Sequence, residues 1–343
     1  MSLRAAVFGL ILLSGRGISG APAIAESCTT QSQMREQDRD SVASAARDIA
    51  AKVQQNDAAG LKAETIAEFA SNFSAMQNLV AQTAPKLTGG GLTVDQVYLL
   101  DATQLKAGQG GADAQFFCNL NKSANEAEFL IPGLTAGVYG FAIVQVAATP
   151  TPWILPMLLR REQGRWLLAG IYPKPTKAAG HDGLWYWREA RRLAAEKQRW
   201  NAWLYYTQAE MLLNPANFIQ STHLQKLRDE QRAAAPPALS GGIGTDVPLV
   251  VKGRDGKDYQ FTMLGTDDTI GGDKVDVSAH LRVDQIGDTA LARRRNEDAM
   301  RALVAAYPEL RSSFHGIWIV AEPAGTSTQA PFATEQAMAD LHT

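Results

Sequence analysis

Apolar positions return at three- and four-residue steps in two places near the start of the chain. Val42, Ala46, Ile49 and Val53 form the first set, and Ile66, Phe69, Phe73, Met76 and Val80 the second. Each set puts one apolar stripe on a helix and so predicts an amphipathic helix. Residues 56–60 (NDAAG) separate the two, and Pro85 is expected to end the second. After the glycines at 89–91 the period shortens. Six strand-like runs follow, at 93–102, 114–120, 127–132, 138–148, 153–161 and 166–173. The last two flank the short turn at 162–164 (EQG), which makes them an antiparallel hairpin. No helical pattern intervenes among these runs, so the sheet is expected to be largely antiparallel.

From 184 the pattern is helical again and unusually aromatic. LWYWREARRLAAEKQRWNAWLYYTQAEMLLNP, residues 184–215, carries Trp185, Trp187, Trp200 and Trp203, four of the chain's seven tryptophans. Asp182 is a fair N-cap for it, and the stretch after Pro215 reads as a third helix beside the pair. Residues 233–246, rich in Pro, Gly and Ala, mark a boundary. Beyond it, 250–264 reads as a hairpin around Asp255-Gly256. In VDVSAHLRVD (275–284), Val275, Val277, Ala279, Leu281 and Val283 share one face. Asp276, Ser278, His280, Arg282 and Asp284 share the other, which predicts a half-buried strand. A helix capped by Asp288 follows, with Leu291, Met300, Leu303 and Val304 inward, then the apolar strand at 316–320. The tail from 323 is expected to be loop plus one short helix.

The division expected is a signal peptide over 1–25, a polar lead over 26–40 and an α+β antiparallel-sheet domain over 41–175. A helical hairpin over 182–232, a linker over 233–246, a small β-β-β-α-β domain over 247–322 and a tail over 323–343 complete it. The fold class is therefore α+β.

Two helices, a curved antiparallel sheet and the closing hairpin LLRREQGRWLLAGIYPKP resemble the NTF2-like α+β cone. The run FLIPGLTAGVYGFAIV (129–144) instead resembles the strand pair of prealbumin-like β-sandwich modules, and that alternative stays open. A cone would enclose a pocket lined by Tyr98, Phe117, Tyr139, Phe141 and Trp166. In the aromatic stretch, Ala190, Ala202, Tyr206 and Ala209 fall at offsets that resemble one tetratricopeptide repeat. There small residues sit where two antiparallel helices touch. One such unit cannot bury its own faces, so the hairpin must lean on the neighbouring domains or on a partner chain. Its aromatics are then either inter-domain cement or an exposed binding face, with Trp185, Trp187, Arg191, Trp200 and Trp203 as candidate contacts.

The segment 1–25 has Arg4, the short apolar run 5–13 and small residues at 23–25, the grammar of an export signal. That run falls far short of the ~20 apolar residues a membrane span needs. Cleavage would remove Arg4 and Arg16 and no acid, moving the formal net charge from -2 to -4. A mildly acidic chain without a basic stripe argues against nucleic acid as a partner. Export favours a Cys28–Cys118 disulfide; a lipidated Cys28 and two free thiols are the alternatives. The five histidines show no metal-binding spacing, and no zinc grammar, phosphate loop, dinucleotide fingerprint or nucleophile elbow is present. Neither a metal nor a cofactor is therefore expected. The function expected is that of a non-catalytic binding or scaffold protein of the periplasm or cell surface, partnered by another envelope or secreted protein. A ligand pocket in the cone, including a hydrolase- or isomerase-like one, is the alternative.

Overall fold

The computed structural model describes residues 26–106, 111–119, 126–147, 151–270, 272–325 and 328–341. The export signal expected over 1–25 lies outside the described residues. The chain is α+β, with mostly antiparallel sheets.

The N-terminal part contains β1 (Ser27–Thr30), α1 (Glu36–Gln54), α2 (Ser74–Leu87) and β2 (Leu92–Asp101). It continues with β3 (Ala112–Asn119), β4 (Glu126–Leu134), β5 (Val138–Val146), β6 (Trp153–Glu162) and β7 (Arg165–Ile171). The main sheet runs β1-β2-β5-β6-β7, with Lys174–Pro175 adding a short sixth strand beside β6. The turn between β6 and β7 works because Gln163 and Gly164 both take positive φ, at 48° and 81°. That is the backbone twist a two-residue hairpin needs.

Alternate residues of this sheet face two different layers. Val97, Ala142, Val144 and Leu155 pack against Val42, Ile49 and Val53 of α1. Each such fully buried aliphatic side chain contributes on the order of 2 kcal/mol. The helix comes close because Gly140 in β5 has no side chain. A Cβ there would stand 2.8 Å from Val42 Cγ1. On the opposite face Tyr98, Leu100, Phe141, Ile143 and Leu158 meet Phe116, Phe129 and Ile131 of a second sheet. The main sheet thus lies between helices and a second sheet. Cys28 in β1 and Cys118 in β3 join the two sheets by a disulfide, their Cα atoms 5.3 Å apart.

Two N-terminal expectations are corrected. The second helix runs on through Pro85 to Leu87. Proline forfeits the bond to the carbonyl four residues back, but Ala81 and Pro85 are both exposed, so that carbonyl lies toward water. Ile66, Phe69 and Phe73 precede this helix rather than belonging to it.

The central hairpin is α3 (Gly183–Ala195) and α4 (Arg199–Leu213), followed by the strand β8 (Ile219–Ser221) and α5 (Thr222–Ala234). The third helix was expected to begin soon after Pro215. It starts at Thr222 because Ile219–Ser221 is drawn into pairing with β4, with Ile219 opposite Phe129 and Ser221 opposite Ala127. Ser221 Oγ then caps α5 by accepting from the Leu224 N–H at 3.2 Å. The second sheet is therefore β8-β4-β3.

The C-terminal layer comprises β9 (Leu249–Lys252), β10 (Asp258–Asp267), β11 (Asp276–Val283), α6 (Thr289–Ala306), β12 (Gly316–Pro323) and β13 (Phe332–Ala337), in that spatial order of strands. β11 and β12 are parallel, joined through α6; the other pairs are antiparallel. The tail forms β13, where loop and helix were expected. The alternation of FATEQA is too polar to announce a strand, and its pairing is made by the backbone. Leu291 is exposed because Ala292, Asn296, Ala299 and Leu303 take the inward positions of α6. One buried cluster runs from Ala178 through the hairpin and Leu239 to Leu341, so hairpin and C-terminal layer share a core.

Candidate functional site

A cleft of about 800 Å3 lies between the N-terminal sheets and the helical hairpin. Its floor is apolar: Tyr98, Phe129, Phe141 and Ile143 from the sheets face Leu184, Trp187, Leu213 and Leu224 from the helices. The rings on the sheet side interlock edge to face, with Tyr98–Phe129 and Phe129–Phe141 centroids each 5.2 Å apart. Arg39, Gln31, Gln96, Glu126 and His223 stand among the polar lining residues. The combination suits a ligand with an apolar body and a polar end. The volume lies within the ~300–1,000 Å3 of small-molecule sites.

Local structure fixes each wall. Asp182 Oδ1 caps α3 by accepting from the Trp185 N–H at 2.8 Å, setting Leu184 and Trp187 on the first turns. Leu184 is 56% exposed, an uncovered apolar side chain at the cleft. Trp187 is held from behind: its Nε1 donates to Glu230 Oε2 at 2.8 Å, and Arg191 donates twice to the same carboxylate, at 2.7 and 2.8 Å. The Arg191 guanidinium also lies 4.6 Å from the Trp187 ring. The hydrogen bond from Arg191 holds the Glu230 carboxyl below its ordinary range, with further help from Trp187. Burial, and secondarily Asp95, push the Tyr98 phenol up, so it sits in the cleft as a neutral hydroxyl donating to Gln96 Oε1 at 3.1 Å.

The sequence-nominated residues divide. Tyr98 and Phe141 line the cleft, and Trp187 joins them from the other nominated set. Tyr139 instead lines a second cavity of about 550 Å3 with Phe69, Tyr172 and Phe218. Phe117 is 48% exposed, because β3 alternates and Phe116 takes the inward position. Trp166 packs under α1 and donates to Ser41 Oγ at 3.1 Å, on the face of the sheet away from the cleft. A single pocket holding all five aromatics is therefore corrected.

The hairpin residues are largely engaged within the molecule. Trp200 is buried, its ring 4.0 Å from that of Tyr307, and its backbone N–H donates to Glu309 Oε1. Trp185 stacks on His181 at 3.7 Å, Trp203 is half-buried against the shared core, and Arg191 is spent on Glu230. Ala190, Ala202 and Ala209 are fully buried in the core that the hairpin shares with the C-terminal layer. Phe129, Leu184, Ile219 and Leu224 were not nominated. Pairing of β8 with β4 brings them together, and the capping signal of Ser221 was the available clue.

Compared with known proteins, the chain matches no family model, no curated protein and no solved structure.

Proposed function

We propose that this is an exported, non-catalytic binding protein that takes a small apolar or amphipathic ligand in the cleft between its N-terminal sheets and its helical hairpin. The observation that carries this reading is an apolar floor of about 800 Å3 with polar residues beside it. Export is supported by the disulfide, which belongs to oxidising compartments. Among the described residues no helix is long and apolar enough to cross a membrane. The pocket reading moves from inside the N-terminal domain to its junction with the hairpin. A second reading, contact with another envelope or secreted protein, is favoured by Leu184 and Met211, both more than half exposed.

The test is displacement of an environment-sensitive apolar probe, N-phenyl-1-naphthylamine, from the purified protein, compared with Leu184→Asp. An acid in the first turn of α3 is favourable to the helix, so this variant is expected to fold while placing a charge against the apolar wall. Probe affinity is expected to fall by about 10-fold or more, the equivalent of roughly 1.4 kcal/mol. Trp187 emission should shift on binding, and Trp187→Phe should remove that component. Unchanged probe affinity in Leu184→Asp would dismiss the cleft.

A further inference from the structure

A second constellation lies in the C-terminal layer, built from three residues far apart in sequence. Asp276 opens β11, His315 precedes the parallel strand β12, and Glu335 sits in β13, opposite Trp318. Parallel pairing of β11 with β12 brings the starts of both strands together, and β13 lays Glu335 alongside. One ligating atom from each of the three residues lies within 4.8 Å of the others. We propose that Asp276, His315 and Glu335 form a binding site for a first-row divalent cation, with zinc as its test ion.

Two observations support it. The strict alternation of β11 assigns Asp276 to the outer face, yet it is only 2% exposed. Its carboxylate accepts from His315 Nδ1 at 2.9 Å and from Trp318 Nε1 at 3.1 Å. Among the described residues no lysine or arginine pairs with it. A carboxylate this deeply buried calls for a charged partner.

Next, position 316 is glycine at the point where the two acids converge. A Cβ there would stand 2.9 Å from Glu335 Oε1 and 3.0 Å from Asp276 Oδ1. Absence of that carbon leaves room for both carboxylate oxygens.

The donor set, one imidazole nitrogen and two carboxylate oxygens, is one that zinc and its first-row neighbours accept. Ligand atoms around a tetrahedral zinc stand about 3.3 Å apart, so the His315–Asp276 contact needs to open by only a few tenths of an ångström. Binding through Nδ1 places the imidazole proton on Nε2. Trp318 donates to the second oxygen of Asp276 and orients it, as outer partners of metal ligands do. His315 is exposed, which leaves the solvent side for water or a further ligand.

The experiment uses the full protein stripped with a chelator, dialysed, and titrated with Zn2+ by calorimetry. Cobalt(II) absorption provides an optical readout, and circular dichroism checks the fold of every variant. One zinc per chain is expected. His315→Ala and Glu335→Gln should each weaken binding by at least about 10-fold. His280→Ala, which removes a histidine paired with Glu322 elsewhere on the sheet, should leave it unchanged. Absence of zinc binding to the stripped protein overturns the proposal, as does binding that survives in both His315→Ala and Glu335→Gln.

Discussion

Replacing Cys28 and Cys118 by alanine, or reducing the bond between them, tests both the stability of the N-terminal part and its link to the cleft. The two cysteines are 90 positions apart. The chain-entropy relation for a loop of this size gives roughly 4–5 kcal/mol of stabilisation through restriction of the unfolded chain. The alanine variant also loses a fully buried sulfur at Cys118, in the core between the two sheets, worth about 1 kcal/mol more. Domains are typically stable by only about 5–15 kcal/mol, so the change should be large. In urea unfolding the midpoint should fall, and the slope should rise because the released unfolded chain exposes more surface. Binding should weaken as well, since Thr30 at the end of the stapled strand and Gln31 and Ser32 directly after it line the cleft. Coincident midpoints for oxidised and reduced protein would refute the entropic argument. Alkylation and mass measurement showing two free thiols would refute the bond itself.

Arg191→Ala should lower stability by about 1 kcal/mol, discounted for the exposure of the pair. In a double-mutant cycle with Glu230→Gln, a coupling energy of zero would show that the clamp behind Trp187 is decorative. Alkaline pH should unfold the protein early. Burial pushes the Tyr205 phenol up to about 12, and burial raises that of Tyr186 further. Between pH 10 and 12 the unfolded chain releases protons that the folded chain keeps. The stability these groups contribute is therefore whole below pH 10 and lost as pH rises toward 12, on the order of 3 kcal/mol for Tyr205. Urea midpoints at pH 8, 10 and 11 measure it, and a flat profile would count against a buried seam.

Most of the fold was legible because its strands and helices carry their own periodicity. Residues 275–284 alternate without interruption, and every inward member is buried. Gln163-Gly164 and Asp255-Gly256 announced their turns. The misses share a physical cause: elements specified by neighbours rather than by their own pattern. Ile219–Ser221 is a strand because β4 offers an unpaired edge, and Phe332–Ala337 is one because β12 does. Neither has an alternation strong enough to be read alone. Phe117 and Leu291 failed for a related reason. In each case a neighbouring residue, Phe116 or Ala292, took the buried position, and only packing decides between adjacent apolar side chains.

The cleft was illegible for the same reason, and its construction explains why it is suited to binding. Its sheet wall belongs to the core formed by Tyr98, Phe129 and Phe141. Its helical wall belongs to a different core, continuous with the C-terminal layer through Tyr205, Phe314 and the Asn201 bonds to Glu309 and Ser312. β8 joins the walls, together with Lys174 Nζ, which donates to the carbonyls of Met211 and Asn214 at the end of α4. Each wall is therefore packed within a core of its own. A ligand that touches both walls gains apolar burial without having to order either one. That lowers the ordering cost that otherwise consumes affinity. Nothing in a linear pattern encodes such a gap, because it arises where two independently specified cores stop short of each other.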